Sequence, residues 1–248
     1  MTSLEQCHAA LSRVQGFVAE PLTALQHAEA HRAFWRPRSV RVIVLAESHV
    51  YTTAEETTLV VTVPWRARWN APTGFVRLVY CVGYGEPELV DGPFFDPLGT
   101  PQYWKLLFSC LNPVQSHRDF APVLKSGTPR LRERVENKIA LLERLRDSGV
   151  WLLEASLAAT YLPNRPKPPS KVVAEAIDTT WTYHLRGAVR AAAPERVIIV
   201  GHGVSGRLAG RVKNVTGVTA TVIPQPNARL SSPEYFKSLA RLYTACAR

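Results

Sequence analysis

The sequence predicts an α/β fold, a three-layer αβα sandwich around a central, mainly parallel sheet of four to five strands. Three observations lead there. From residue 40 onward, short apolar runs alternate with segments of helical spacing, the pattern of strand–helix–strand units. The apolar runs are nearly continuous rather than alternating, as in strands covered on both faces. The chain has 248 residues, 46% hydrophobic and 20% charged, enough for one substantial core. A single domain over residues 1–248 is expected, with residues 1–37 forming a helical extension packed on it.

Leu4, Leu11, Val14, Val18, Leu22 and Leu25 stand at near-helical spacing over residues 3–33, and Pro21 splits that segment into two helices. Phe34–Arg38 is a basic, aromatic connector, and the first strand is Val40–Ala46. Residues 47–75 read as irregular. Within them Thr57–Val63 is β-prone but flanked by Pro64, Pro72 and Gly74. Trp65-Arg66-Ala67-Arg68-Trp69 suits a phosphate-and-base surface. It suits equally two half-buried tryptophans beside solvated arginines. Phe75–Cys81 reads as the second strand, followed by a loop, Val82–Gly99, rich in Gly, Pro and aromatic residues.

Thr100-Pro101 opens a helix that runs to about Leu111, with a cap and then proline at the first position. Leu131, Val135, Ile139, Leu142 and Leu145 mark an amphipathic helix over 129–147, which Gly149 ends. Val150–Ala155 is the third strand, and Pro163–Pro169 an extended, proline-rich loop. A long helix is expected over 170–193, a strand over 196–200, a short helix over 204–212 and a strand over 218–223. Ser232-Pro233-Glu234 starts the last helix with a cap, a first-turn proline and an acid that complements the dipole.

The net charge is +10, which points to a polyanionic partner, nucleic acid being the commonest. The basic residues are dispersed, so any binding face must be assembled by folding. No apolar run reaches the ~20 residues of a membrane-spanning helix. The first residues lack the basic and apolar regions of a secretory leader, so a cytoplasmic location is expected. Cys7, Cys81, Cys110 and Cys246 are far apart in the chain and read as reduced, mostly buried thiols. No metal, iron–sulfur cluster or other cofactor is expected, and the chain is expected to be a monomer.

Reactive side chains concentrate at the tip of the first strand: Glu47, Ser48 and His49 follow Val42–Ala46 directly. In open α/β sheets ligands bind just beyond such carboxyl ends. Gly201-His202-Gly203-Val204-Ser205-Gly206 matches the glycine pattern of a dinucleotide site, after a strand and before a helix. It comes late in the chain, and the acid expected ~20 residues on to hold a ribose is absent. The alternative is a tight turn whose N–H groups hold one phosphate. A serine-hydrolase reading fails on two counts. Gly203 occupies the nucleophile's place, and Ser48 and His49, as strand neighbours, point to opposite faces.

Four motifs in order resemble the uracil-DNA glycosylase superfamily over residues 38–246. Val44-Leu45-Ala46-Glu47-Ser48-His49 is similar to its first motif, and Trp151-Leu152-Leu153-Glu154-Ala155 to the strand that ends in a base-reading Asn. Val197–Gly203 is similar to its glycine turn, and Gln225-Pro226-Asn227-Ala228-Arg229 to its last motif. The resemblance implies a monofunctional DNA glycosylase that hydrolyses the bond between base and deoxyribose after flipping the nucleotide out. It implies Glu47 as the group that positions or activates water, Gln225 in place of the catalytic His, and His49 as a second proton-transfer group or a phosphate contact, the alternative being a bonded loop histidine. Ser48 stands where the best-known branch has an Asp, a departure from uracil chemistry.

Glu154, in the place of Asn, would accept from an exocyclic amine and repel uracil O4, favouring a cytosine- or adenine-type base. Alternatively it pairs with an Arg. Phe94, Phe95 or Tyr84 would stack on the base. Asn227, Arg229, Ser205 and Arg207 would meet the DNA. Relatives excise uracil, hypoxanthine or damaged bases, and some bacterial members excise hypermodified phage cytosines in defence. A catalytically inactive DNA-binding member and a small-molecule nucleoside hydrolase are the competing expectations.

Overall fold

The computed structural model describes residues 2–66, 68–92, 99–163, 166–225 and 230–247. Six strands form among them: β1 (Val42–Ala46), β2 (Val60–Val61), β3 (Val90–Asp91), β4 (Val150–Glu154), β5 (Arg196–Val200) and β6 (Thr221–Ile223). Four of these make one parallel sheet in the order β4-β1-β5-β6. Every residue of β1 and β4 is buried, as their unbroken apolar runs require of strands covered on both faces. The helices are α1 (Ser3–Leu11), α2 (Leu22–Phe34), α3 (Pro101–Leu111), α4 (Leu131–Asp147), α5 (Ser170–Thr180), α6 (Arg186–Ala192), α7 (His202–Thr216) and α8 (Ser232–Ala247). One helical group is α3 with α4 and α8, and the other is α1 with α5 and α6 with α7, giving the αβα layering.

From β1 the chain first adds β4 on one side, then β5 on the other. Ligand crevices of open α/β sheets form where the strand order reverses in this way. Residue 47, just past β1, stands at that reversal.

One expectation needs correction, and three are refined. Phe75–Cys81 is not a strand. It bends through short turns closed by Leu78 N–H to Val76 O at 2.8 Å and Cys81 N–H to Leu78 O at 2.9 Å. Its residues are deeply buried, and a short buried run carries no periodicity that separates turn from strand. The stretch 57–63 yields only β2, paired antiparallel with β3 apart from the main sheet. The last strand is limited to β6. The long helix is continuous over 170–192 but passes through one π-helical stretch, Trp181–Leu185, between α5 and α6. It stops at Ala193, whose φ of 44° is left-handed.

Trp65 and Arg66 clasp α4, while Trp69 packs against Phe34 and Trp35. Trp65 Nε1 donates to Glu136 Oε1 at 2.7 Å, and Arg66 pairs with Glu136 and, at 3.3 Å, with Glu143. All four cysteines are buried and free. Among the described residues no helix is long and apolar enough to cross a membrane, and no group of three or more His, Cys, Asp or Glu could hold a metal ion.

Candidate active site

Glu47 carries the site. Its Oε1 accepts from Thr160 Oγ1 at 2.7 Å and lies 2.7 Å from Lys167 Nζ, while its Oε2 accepts from Gln225 Nε2 at 3.0 Å. These donors arrive from two segments: the connection after β4, which carries Thr160 and the proline-rich run with Lys167, and the loop after β6. A carboxylate offers about four acceptor positions, so roughly one remains for a water or a substrate proton. Gly201 makes room for the amide. Its φ is 101°, and a Cβ there would come within 2.8 Å of Gln225 Cγ.

Two cavities meet at Glu47. The smaller, about 340 Å³, is lined among others by Glu47, Ser48, Tyr103, Thr160, Tyr161 and Gln225. That volume is within the range of small-ligand pockets. The larger, about 810 Å³, runs along α5 to the start of α7 and shares Glu47 and Lys167 with the first. Tyr161 is 50% exposed at the rim of the smaller cavity. Tyr103 is fixed by its hydroxyl, which donates to Ser48 O at 2.8 Å. Burial, then the nearby Glu154 and Glu47 carboxylates, push the Tyr103 pKa up, so the hydroxyl stays protonated.

Ser48 serves as a strut. Its Oγ is 2.8 Å from Thr160 Oγ1 and accepts from Thr160 N–H at 3.0 Å, holding the hydroxyl that bonds Glu47. His49 borders the smaller cavity, but its ring is turned into the interior, as in the bonded-histidine alternative. Its ring is fully buried, with Nδ1 2.9 Å from Glu154 Oε2 and Nε2 2.9 Å from Glu20 Oε2. Burial alone would lower its pKa, but the Glu20 and Glu154 carboxylates outweigh this and raise it to about 10.

Glu154 does not read a base either. Its side chain is 1% exposed and is held by Arg32 and His49. Burial favours the neutral acid, yet these two cations prevail and hold the carboxyl below its ordinary range. The pairing alternative for Glu154 is therefore the one realised, with an Arg from α2, 122 residues away in the chain. Arg32 also bonds Glu29, and His184 Nε2 lies 3.4 Å beyond.

Tyr84 is buried edge-on against Phe75, with ring centroids 6.4 Å apart, and lines neither cavity. It is not a stacking face. Ser205 lies in the first turns of α7. Arg207 borders the larger cavity and pairs with Asp178. Phe94, Phe95, Asn227 and Arg229 lie outside the described residues.

Thr160, Lys167, Tyr103 and Tyr161 escape the sequence reading, as does Glu20. The Glu20 carboxylate accepts from Thr52 N–H at 2.6 Å and Ala159 N–H at 2.7 Å, stitching the loops after β1 and β4 together. One signal was present: a lysine set within a run of prolines is held on a stiff backbone. Comparison with family models, curated proteins and solved structures finds no match for this chain.

Proposed function

We propose that the protein is a DNA glycosylase acting on a flipped-out modified or damaged base. One observation carries this reading. Glu47 and Gln225, 178 residues apart in the chain, meet at 3.0 Å on the wall of a cavity of about 340 Å³ at the strand tips. They are two of the three residues that the resemblance singles out for chemistry; the third, His49, is held in buried ion pairs. The net charge of +10 supports a polyanionic substrate.

As the base leaves, its electrons go with it and the sugar becomes oxocarbenium-like. The Glu47 carboxylate stabilises that cation and takes a proton from the water that adds at C1′. Gln225 gives one amide N–H to Glu47, and its second N–H is free in capacity to donate to a base oxygen as charge develops there. Because Glu154 is sealed in its ion pairs, the preference for an amine-bearing base loses its support. Carbonyl-edged and amine-edged bases stand equal.

The test is a panel of single- and double-stranded DNAs carrying uracil, hypoxanthine or hypermodified cytosine, with free base and alkali-labile sites measured. Release from at least one substrate, abolished in Glu47→Gln, is the expected result. DNA binding without release from any substrate would leave a non-catalytic binder.

A further inference from the structure

Lys167 is the single lysine among the residues lining the smaller cavity, and it borders the larger one as well. Its Nζ touches the carboxylate to which the hydrolysis is assigned, at 2.7 Å. Pro166, Pro168 and Pro169 surround it, so the backbone that presents it is pre-set. The side chain is 51% exposed, leaving the amine able to swing from Glu47 to a guest in the cavity. An amine paired with a carboxylate is the equipment for attack on a carbonyl carbon. Loss of a base from DNA creates one, because the deoxyribose then equilibrates with an open-chain C1′ aldehyde.

We propose that the protein is also a Schiff-base lyase for abasic sites in DNA, with Lys167 as nucleophile and Glu47 as proton carrier. The proposal rests on the DNA reading above for its substrate class, but it does not require this protein to have removed the base. It adds a second step to the single hydrolysis that the resemblance implies. Glu47 takes one proton from the Lys167 ammonium. The neutral amine adds to C1′, and a proton passes from nitrogen to the former carbonyl oxygen. Glu47 returns its proton to that hydroxyl, which leaves as water, and a protonated imine joins Nζ to C1′. The regenerated carboxylate then removes a proton from C2′. The electron pair of that C–H bond ends as the C2′–C3′ double bond while the C3′–oxygen bond breaks and the phosphate departs with its electrons. Water hydrolyses the imine and restores the lysine.

A lysine that only steadied Glu47 would never bond to DNA, and this separates the two roles. The full chain is incubated with a duplex containing one preformed abasic site, with sodium borohydride to reduce any imine to a stable amine. The expected result is a protein–DNA adduct that survives denaturing electrophoresis, mapped by mass spectrometry to Lys167. Lys167→Arg, which keeps the charge, loses the adduct and the strand cleavage seen without borohydride. Lys213→Arg, at the far end of α7, keeps both. No adduct from the unaltered protein, an adduct mapped to another residue, or its persistence in Lys167→Arg overturns the proposal. Base release from the DNA panel without an adduct removes the lyase alone. An adduct without base release removes the excision reading and leaves the lyase standing.

Discussion

The tips of β1 and β4 carry the same functional group side by side and treat it in opposite ways. Ala46 pairs in register with Glu154, so Glu47 stands one residue beyond it on the neighbouring strand. Glu47 is 16% exposed, and its partners are a hydroxyl, an amide and one largely exposed ammonium. Glu154 is enclosed and faces two buried cations, Arg32 and His49. Burying charge costs several kcal/mol per ion unless partners compensate, so the second arrangement is rigid by necessity. Two neutral donors and one ammonium orient the Glu47 carboxylate and leave roughly one acceptor position open. The role of each acid is decided by what other segments bring to it, not by its strand position.

The largest expected break in this contrast comes from Glu47→Gln. Base release should fall by ~10²–10⁴-fold, the typical worth of a positioned proton-transfer group, while the melting temperature moves only a few degrees. Calorimetry beside the release assay checks both halves. Collapse of the fold instead would mean the two acids have exchanged roles.

Glu154→Gln is the mirror experiment. It takes from Arg32 and His49 one of the two carboxylates each holds, leaving Glu29 and Glu20, and should cost up to about 3–5 kcal/mol in urea unfolding. Unchanged stability would show that Glu29 and Glu20 suffice for the two cations.

The same cluster should print itself on stability as a function of pH. Folded His49 keeps its proton up to about 10, whereas the unfolded chain releases it near the ordinary 6.5. Stability from this pair is complete below 6.5 and falls as pH climbs towards 10. On the acid side Glu154 is lowered and Glu29 drops to about 2, so their contribution is present above the ordinary 4.5 and disappears as pH falls. Unfolding across a pH series should show both limbs, and His49→Gln should flatten the alkaline one.

Gly201→Ala should cost about 1–3 kcal/mol through its backbone angle alone. It should also push Gln225 off Glu47, lowering release with the fold intact. The smallest effect belongs to Arg66→Ala, at most about 1 kcal/mol, because its ion pairs with Glu136 and Glu143 are partly solvated. A larger loss there would assign Arg66 a part in binding.

The buried strands were legible because Val42–Ala46, Val150–Leu153 and Val197–Val200 are unbroken apolar runs. The convergence of Glu47 with Gln225 was legible from motif order. Phe75–Cys81 was not, since burial without sheet partners leaves the same composition as a strand. Glu154 misled for a different reason. Its meaning depends on Arg32 and His49, and nothing local announces a cation delivered by a helix more than a hundred residues earlier. Thr160 and Lys167 were invisible likewise, because loops reach Glu47 only after the sheet has aligned them.

The stitching by Glu20 has a consequence for how the protein is born. Glu20 and Arg32 leave the ribosome early, but their partners Ala159 and Glu154 are made 139 and 122 residues later. Until then these side chains stay hydrated, because entering an interior that lacks its counter-charges is unfavourable. The buried ion pair of α2 and the bonds of Glu20 therefore cannot form before β4 and the loop after it are made, a loop closure of the kind that distant contacts carry. A nascent chain halted before β4 should leave its amino-terminal segment open to protease, and completion of the loop after β4 should close it.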